Sequence, residues 1–243
     1  MVIPQSSPLI SLSGLPALTS EERRCLLSTV TRRLQAAIRG ERSSFTELGG
    51  LQSWPLFGVY ISLKRRGDLR LRCGMGSMDH AWPLREHLNS AAILAATGDP
   101  RFPKLRSDEL SQLRLEVWLF AYPEPVYAMG DSLVEAIDVR RHGLIVNREE
   151  RRGTLLPGMI RDAGWDSRAA LTHACVRAGL GNDAWLERET RVELFESTVI
   201  EGDLLPFLAS DDDDFPEVPA AFRATNDKSS GVASARWRRG FVD

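Results

Sequence analysis

The sequence predicts an α+β fold, with a mixed, mostly antiparallel sheet and helices packed against it. Three observations carry this. Strand-like runs arrive mostly as hairpins, closed by short Gly-containing turns. Helix-period segments are few and well separated. The order helix, hairpin, helix, strand, hairpin, helix, strand lacks the steady strand–helix alternation of a parallel doubly wound sheet.

Thr19 opens the first helix. With Glu22 it forms the Thr-x-x-Glu capping box, in which hydroxyl and carboxylate each satisfy a free backbone N–H. Leu26, Leu27, Val30, Leu34, Ala37 and Ile38 recur at helical spacing and make one apolar stripe, and Gly40 stops it. FGVYISL (57–63) reads as a strand, with KRRGD as the turn and LRLR as the returning strand. CGMGSMD (73–79) reads as a loop, because two glycines two apart relax the backbone. Pro83 suits the first turn of a helix through Leu84, Leu88, Ala91, Ala92, Ala95 and Ala96, ended by Gly98. Leu113, Leu115, Val117 and Leu119 alternate with Arg114, Glu116 and Trp118, which predicts a half-buried strand. Ile137 and Val139 with Leu144–Val146 read as a second hairpin, turning at Arg141-His142-Gly143. Asp166 caps a helix running to Ala178, ended by Gly179. Val192, Leu194 and Val199 belong to a last strand. The predicted organisation is an irregular lead-in over 1–18, a domain over 19–201 and a poorly ordered tail over 202–243. The tail holds four aspartates (211–214) and a Ser/Arg-rich end.

The chain has 243 residues, 43% hydrophobic and 26% charged, which suffices for a core without disulfides. Thirty-one Lys and Arg against 33 Asp and Glu give a net charge of −2. No global basic field therefore recruits nucleic acid or acidic lipid, so a nucleic-acid partner is not expected. The first sixteen residues carry no Lys or Arg and do not read as a secretory signal. No window approaches the roughly 18 apolar residues that span a bilayer, so no membrane partner is expected. Cys25, Cys73 and Cys175 are odd in number and far apart, which favours reduced thiols in the cytoplasm.

Six phrases then line up: LRCGMGS (71–77), AAILAATGDPRFPKL (91–105), QLRLEVWLF (112–120), RHGLIV (141–146), GTLLPGMIRDAGW (153–165) and HACVRAGLGNDAW (173–185). In this order and spacing the chain resembles the AMMECR domain family, whose prokaryotic members include protein A of the AmmeMemoRadiSam system. The resemblance implies one α+β domain with a larger and a smaller lobe. It also implies the company of a Memo-like protein and a radical-SAM enzyme, with no settled reaction of its own. The family loop reads Leu-Arg-Gly-Cys-Ile-Gly-Thr, whereas here it is Leu71-Arg72-Cys73-Gly74-Met75-Gly76-Ser77, with the cysteine one place earlier. The family's Leu-Leu-Pro-Gln is Leu155-Leu156-Pro157-Gly158, and its Lys-Ala-Gly-Leu is Arg177-Ala178-Gly179-Leu180.

Candidate site residues follow from these phrases. Cys73 beside Arg72 could be an activated thiol, since a nearby cation lowers a thiol's pKa. The plainer reading is a small buried thiol. His142 is either an acid/base near neutrality or part of its turn. Gly74, Gly76 and Ser77, with Pro157 and Gly158, are candidate ligand-binding positions around a cleft shared with His142. The loop matches neither GxGxxG nor a P-loop.

No metal or cofactor is expected. His173 and Cys175 lie two apart on a helix and point about 200° apart. His80 and His87 have no cysteine at ligand spacing, and no CxxC, HExxH or cluster-binding CxxxCxxC occurs. Residues 211–214 lack the Gly and distal Glu of a calcium loop. Asp99 and Arg101 read as a turn closed by an Asp–Arg tie, with anion clamping as the alternative. Arg236, Arg238 and Arg239 around Trp237 read as a solubilising end, against contact with nucleic acid or an acidic partner. The leading expectation is an accessory or binding protein. A thiol-dependent enzyme using Cys73, Arg72 and His142 is the first alternative, and a regulatory protein- or nucleic-acid-interaction module is the second.

Overall fold

The computed structural model describes residues 15, 17–41 and 48–208; of residues 79–81 it describes only the strand they belong to. Most of the predicted lead-in lies outside these residues. So does the predicted tail beyond residue 208, with its aspartate run and its Arg/Trp end.

Helix α1 (Ser20–Arg39) carries the predicted capping box at Thr19 and Glu22, and Gly40 closes it at φ 71°. Strands β1 (Pro55–Arg65) and β2 (Leu71–Pro83) form an antiparallel hairpin, and helix α2 (Leu84–Thr97) follows directly. Strand β3 (Leu113–Phe120) pairs with β1 on its other side. Then come β4 (Glu124–Val126), α3 (Asp131–Glu135), β5 (His142–Arg148), β6 (Arg151–Leu155), α4 (Pro157–Ala163), α5 (Ser167–Arg177) and β7 (Arg191–Asp203). The sheet order is β2-β1-β3-β7-β5-β6, with β4 on β7, and every recorded pairing is antiparallel. No helix among the described residues is long and apolar enough to cross a membrane.

Alternation sorts the side chains into three groups. Val59, Ile61, Leu63, Leu115, Val117 and Ile200 face α1 and α2 and form the larger core with Leu26, Leu34 and Leu88. Leu144, Val146, Leu155 and Val192 meet α3 and α5 in a smaller core. The opposite faces of the strands meet in a third cluster of Phe57, Met78, Trp118, Phe120, Ile145, Leu156 and Phe195. Arg152 on β6 lies over the Phe57 ring on β1, so the sheet curls enough to bring its distant strands across this inner face.

Four sequence expectations need correction. Strand β3 is buried on both faces rather than half-buried, because α4 covers the side that carries Trp118. Residues 73–79 are strand, not loop. Gly74 and Gly76 were read as signs of irregular backbone, but neither has positive φ. The second hairpin is β5–β6, not 137–146: Ile137 and Val139 are non-strand residues packed in the smaller core. The chain turns instead at Glu149, whose φ of 54° is unusual for a non-glycine and leaves no Gly/Asn signal to read. The sheet also continues past residue 201, to Asp203, with Leu204 buried beyond it. Cys175 is buried among Leu171 and Ala178, as its helical spacing predicts.

Strand β6 crosses α5 so closely that a methyl group on Gly153 would overlap the Ala174 carbonyl oxygen and lie 2.6 Å from the Ala178 nitrogen. Both obstacles are backbone and cannot rotate away. Gly153→Ala is expected to cost about 3 kcal/mol in urea unfolding. Gly67→Ala, where nothing lies within 4 Å, should stay within about 0.5 kcal/mol of the native chain.

Candidate functional site

The strand period places residues 71–77 on two faces. Cys73 packs in the larger core and Met75 packs against it. Ser77 is buried on the same side, where its hydroxyl lies 3.1 Å from Nδ1 of buried His87. His87 Nε2 lies 3.2 Å from the Leu56 carbonyl, which can only accept. Nε2 therefore carries a proton and donates to Leu56, and in the neutral ring Nδ1 accepts from Ser77. Gly74 and Gly76 turn to the inner face, where their missing side chains leave room for Tyr60. A methyl group on Gly74 would overlap the Tyr60 hydroxyl, and one on Gly76 would lie 2.9 Å from its ring.

Arg72 does not attend the thiol. Its guanidinium gives two hydrogen bonds of 2.7 Å to Glu109 and reaches the carbonyls of Pro103 and Lys104 at 3.0 and 3.3 Å. It pins the 103–109 segment to β2. Burial is the dominant influence on Cys73 and pushes its thiol up to about 12, against the opposing charge of Arg72. Little thiolate exists near neutrality under those conditions.

β2 is an edge strand, and its outward-facing groups at Gly74 are capped. The buried Asp99 carboxylate accepts from the Gly74 N–H at 2.8 Å, and Arg101 donates to the Gly74 carbonyl at 2.9 Å. Arg101 also grips both Asp99 oxygens, through Nε at 3.0 Å and Nη2 at 2.9 Å. Burial alone would raise the Asp99 carboxyl, but the hydrogen bonds from Arg101 and Gly74 outweigh it and hold the group below its ordinary value.

Tyr60 is also opposite Trp118 on β3, giving a cross-strand row Gly76–Tyr60–Trp118–Val199 on the inner face. Gly158, at the start of α4, approaches the Trp118 indole so closely that a methyl group there would lie 3.1 Å from the ring. Arg161 on the same helix stands 5.0 Å over that ring. One register step along, Glu116 is buried. It accepts from Ser62 at 2.9 Å, from the Trp118 indole at 3.3 Å and from Lys64 at 2.9 Å. Lys64 also reaches Asp162 of α4 at 3.6 Å, tying the helix to the sheet. Burial raises Glu116, yet the bonds from Lys64, Ser62 and Trp118 hold it below the usual range.

His142 lies elsewhere. It pairs with Glu196 on β7, and its Nδ1 accepts the Asp138 backbone N–H at 3.1 Å, so it closes its own turn. Three strands, β1, β3 and β7, stand between its strand and Cys73's. The structure thus joins Gly74, Gly76 and Gly158 around the Tyr60–Trp118 row, with buried Pro157 beside them in the chain. It does not bring Cys73, Arg72, Ser77 and His142 into one cleft.

The fold and these phrases can be set against known proteins. The AMMECR1 family model matches residues 23–200. The chain belongs to the AMMECR1 family. It is 34% identical over 189 residues to Protein Mbar_A1807 of Methanosarcina barkeri, covering 75% of this chain and 91% of that one. It is 40% identical over 146 residues to Protein MK0488 of Methanopyrus kandleri, covering 59% and 70%. The crystal structure of uncharacterized protein PH0010 from Pyrococcus horikoshii superposes with a TM-score of 0.67 at 30% identity, covering 76% of this chain and 93% of that one.

Sequence reasoning missed Tyr60, Trp118 and Glu116 in this AMMECR1 chain. One signal was available: Glu116 interrupts the apolar character of QLRLEVWLF. Among the described residues, no three His, Cys, Asp or Glu side chains gather as a metal site.

Two measurements check this geometry. Cys73 in the folded chain should resist iodoacetamide at neutral pH and react once the chain is unfolded; rapid labelling of the folded chain would show a thiol open to the surface. Glu116→Gln should destabilise the chain by about 1.5–3 kcal/mol at neutral pH, because Lys64 loses its close partner. The folded-state pKa of Glu116 is depressed, so its contribution is complete above the ordinary glutamate value and fades as pH falls through and below it. The difference between native and variant in urea unfolding should narrow on acidification, and a constant gap would refute the assignment.

Proposed function

We propose that this chain is an accessory or binding protein of the AMMECR type that works beside a Memo-like protein and a radical-SAM enzyme, and that its inner sheet face is the binding surface. The carrying observation is the Tyr60–Trp118 row. Three glycines let the two rings pack against backbone, Trp118 buried and Tyr60 half-buried, while Arg101, Arg161 and Lys64 stand at the margins. The exposed part of Tyr60 and the flanking cations can hold a ligand by contact and charge and need no nucleophile. The family resemblance supplies the partners.

The thiol-enzyme alternative, with Cys73, Arg72 and His142, fits less well. It requires an accessible thiolate and a base at hydrogen-bond reach. Burial disfavours the first, and the strand order separates the second. Against the interaction-module alternative, Arg72, Arg101, Arg106, Arg114, Arg141, Arg148 and Arg168 each pair with a carboxylate that offsets their charge.

Affinity purification of the tagged full chain from its own cells should recover the Memo-like and radical-SAM proteins. Trp118→Ala should reduce that recovery while Cys73→Ser leaves it unchanged. Folded native chain that retains neither protein would refute the partnership.

A further inference from the structure

We propose that Arg101 and Tyr60, at the outer edge of β2, form a binding site for an oxyanion, the phosphate or carboxylate group of a small ligand. The inference goes beyond the partner reading above and stands on different observations.

Arg101 is held more firmly than a turn requires. Asp99 takes its Nε and Nη2, and Nη2 also donates to the Gly74 carbonyl. The Phe102 ring backs the guanidinium carbon at 5.6 Å. The Asp99 side chain is 2% exposed and also receives two backbone N–H groups, from Gly74 and Arg101, so the anchor is rigid. The Arg101 side chain is 48% exposed, and Nη1 carries the donors that Asp99 and Gly74 leave over.

Tyr60 supplies the second donor. Its hydroxyl lies over Gly74, whose carbonyl Arg101 holds, and the phenol O–H can donate. Burial raises this phenol above its ordinary value, so it stays protonated. Gly76 supplies the third. Gly74 turns its N–H and carbonyl away from β1, and by the strand period Gly76, two residues on, turns its own pair the same way. Asp99 and Arg101 cap Gly74 and not Gly76. Three donors thus serve one stretch of the edge: a guanidinium N–H and a phenol O–H at Gly74, and a backbone N–H two residues along. Of the nearby acceptors, Asp99 and the Gly74 carbonyl are already engaged, and the Gly76 carbonyl alone is left by this clasp. With a fixed cation and more donors than open acceptors, the set suits an oxyanion better than a cation. It is ordered before binding, so little conformational entropy is lost when the ligand arrives. A purely structural clasp would need Nε and Nη2 alone.

The test titrates the full chain with inorganic phosphate and, separately, with acetate, at ionic strength held constant with chloride. The backbone amide resonances of Gly74 and Gly76 and the Nε–H of Arg101 report binding. At least one anion should shift all three along a single saturating curve. Saturation by phosphate alone identifies a phosphate group, and saturation by acetate identifies a carboxylate. Tyr60→Phe keeps the ring over the glycines and the Asp99–Arg101 clasp, and should weaken binding roughly tenfold, the worth of one hydrogen bond to a charged group. Arg101→Lys should weaken it at least as much, because an ammonium lacks the fork that serves Asp99 and a ligand together. No saturating shift with either anion in the native chain would overturn the proposal, and so would saturation of Tyr60→Phe at native concentrations.

Discussion

Strand β7 is the constraint on which the rest of the molecule depends. Its C-terminal half pairs with β3, and its N-terminal half lies between β4 and β5. Even-numbered residues on this one strand serve both helical cores: Val192 and Leu194 pack with α3 and α5, Ile200 with α1 and α2. The odd-numbered Phe195 and Val199 fill the inner face between the lobes. A slip of one residue would turn all of these to the wrong side at once. The register is therefore specified by both lobes together, and neither can repack alone. Gly143, opposite Phe195, marks how tightly this is drawn, because a methyl group there would overlap the Phe195 ring.

The same two-residue period decides what the signature segment can do. Moving a cysteine by one position along a strand moves it through the sheet. In the family pattern that the resemblance implies, the thiol stands at position 74, which here is the inner face. In this chain it stands at 73, inside the larger core, and the phenol of Tyr60 lies over the vacated position. The burial that raises the Cys73 thiol follows from this displacement.

Much of the fold was legible because it rests on local signals. The capping box at Thr19, the Asp166 cap and the alternation in Leu113–Phe120 each act within one element and need no tertiary information. The errors arose where a residue type serves a tertiary purpose. Gly74 and Gly76 looked like loop residues, since glycine usually signals backbone freedom, but here they are strand residues whose missing side chains admit Tyr60. Glu149 adopts a turn conformation without a turn residue's signature. The candidate site was half legible for the same reason. Gly74, Gly76 and Gly158 could be found by matching phrases. Tyr60, Trp118 and Glu116 acquire meaning only from the β1–β2 and β1–β3 registers, which bring Gly76 and Trp118 to either side of Tyr60.

An edge strand carries a liability that explains why Asp99 and Arg101 lie where they do. β2 is long and, among the described residues, flanked on one side only, and unpaired backbone groups along such an edge invite pairing with another chain. The Asp99–Arg101 turn supplies what a neighbouring strand would supply at Gly74, an acceptor for the N–H and a donor for the carbonyl. It does so with charged groups, which cannot be extended into a further strand. Capping is confined to one register position because the side chains come from a tight turn with little reach. The neighbouring outward position, Gly76, thus keeps its polarity beside a fixed guanidinium and a phenol. The edge cap and the anion site are two consequences of one arrangement: the buried carboxylate that holds Arg101 against the strand also fixes its remaining donors in the open.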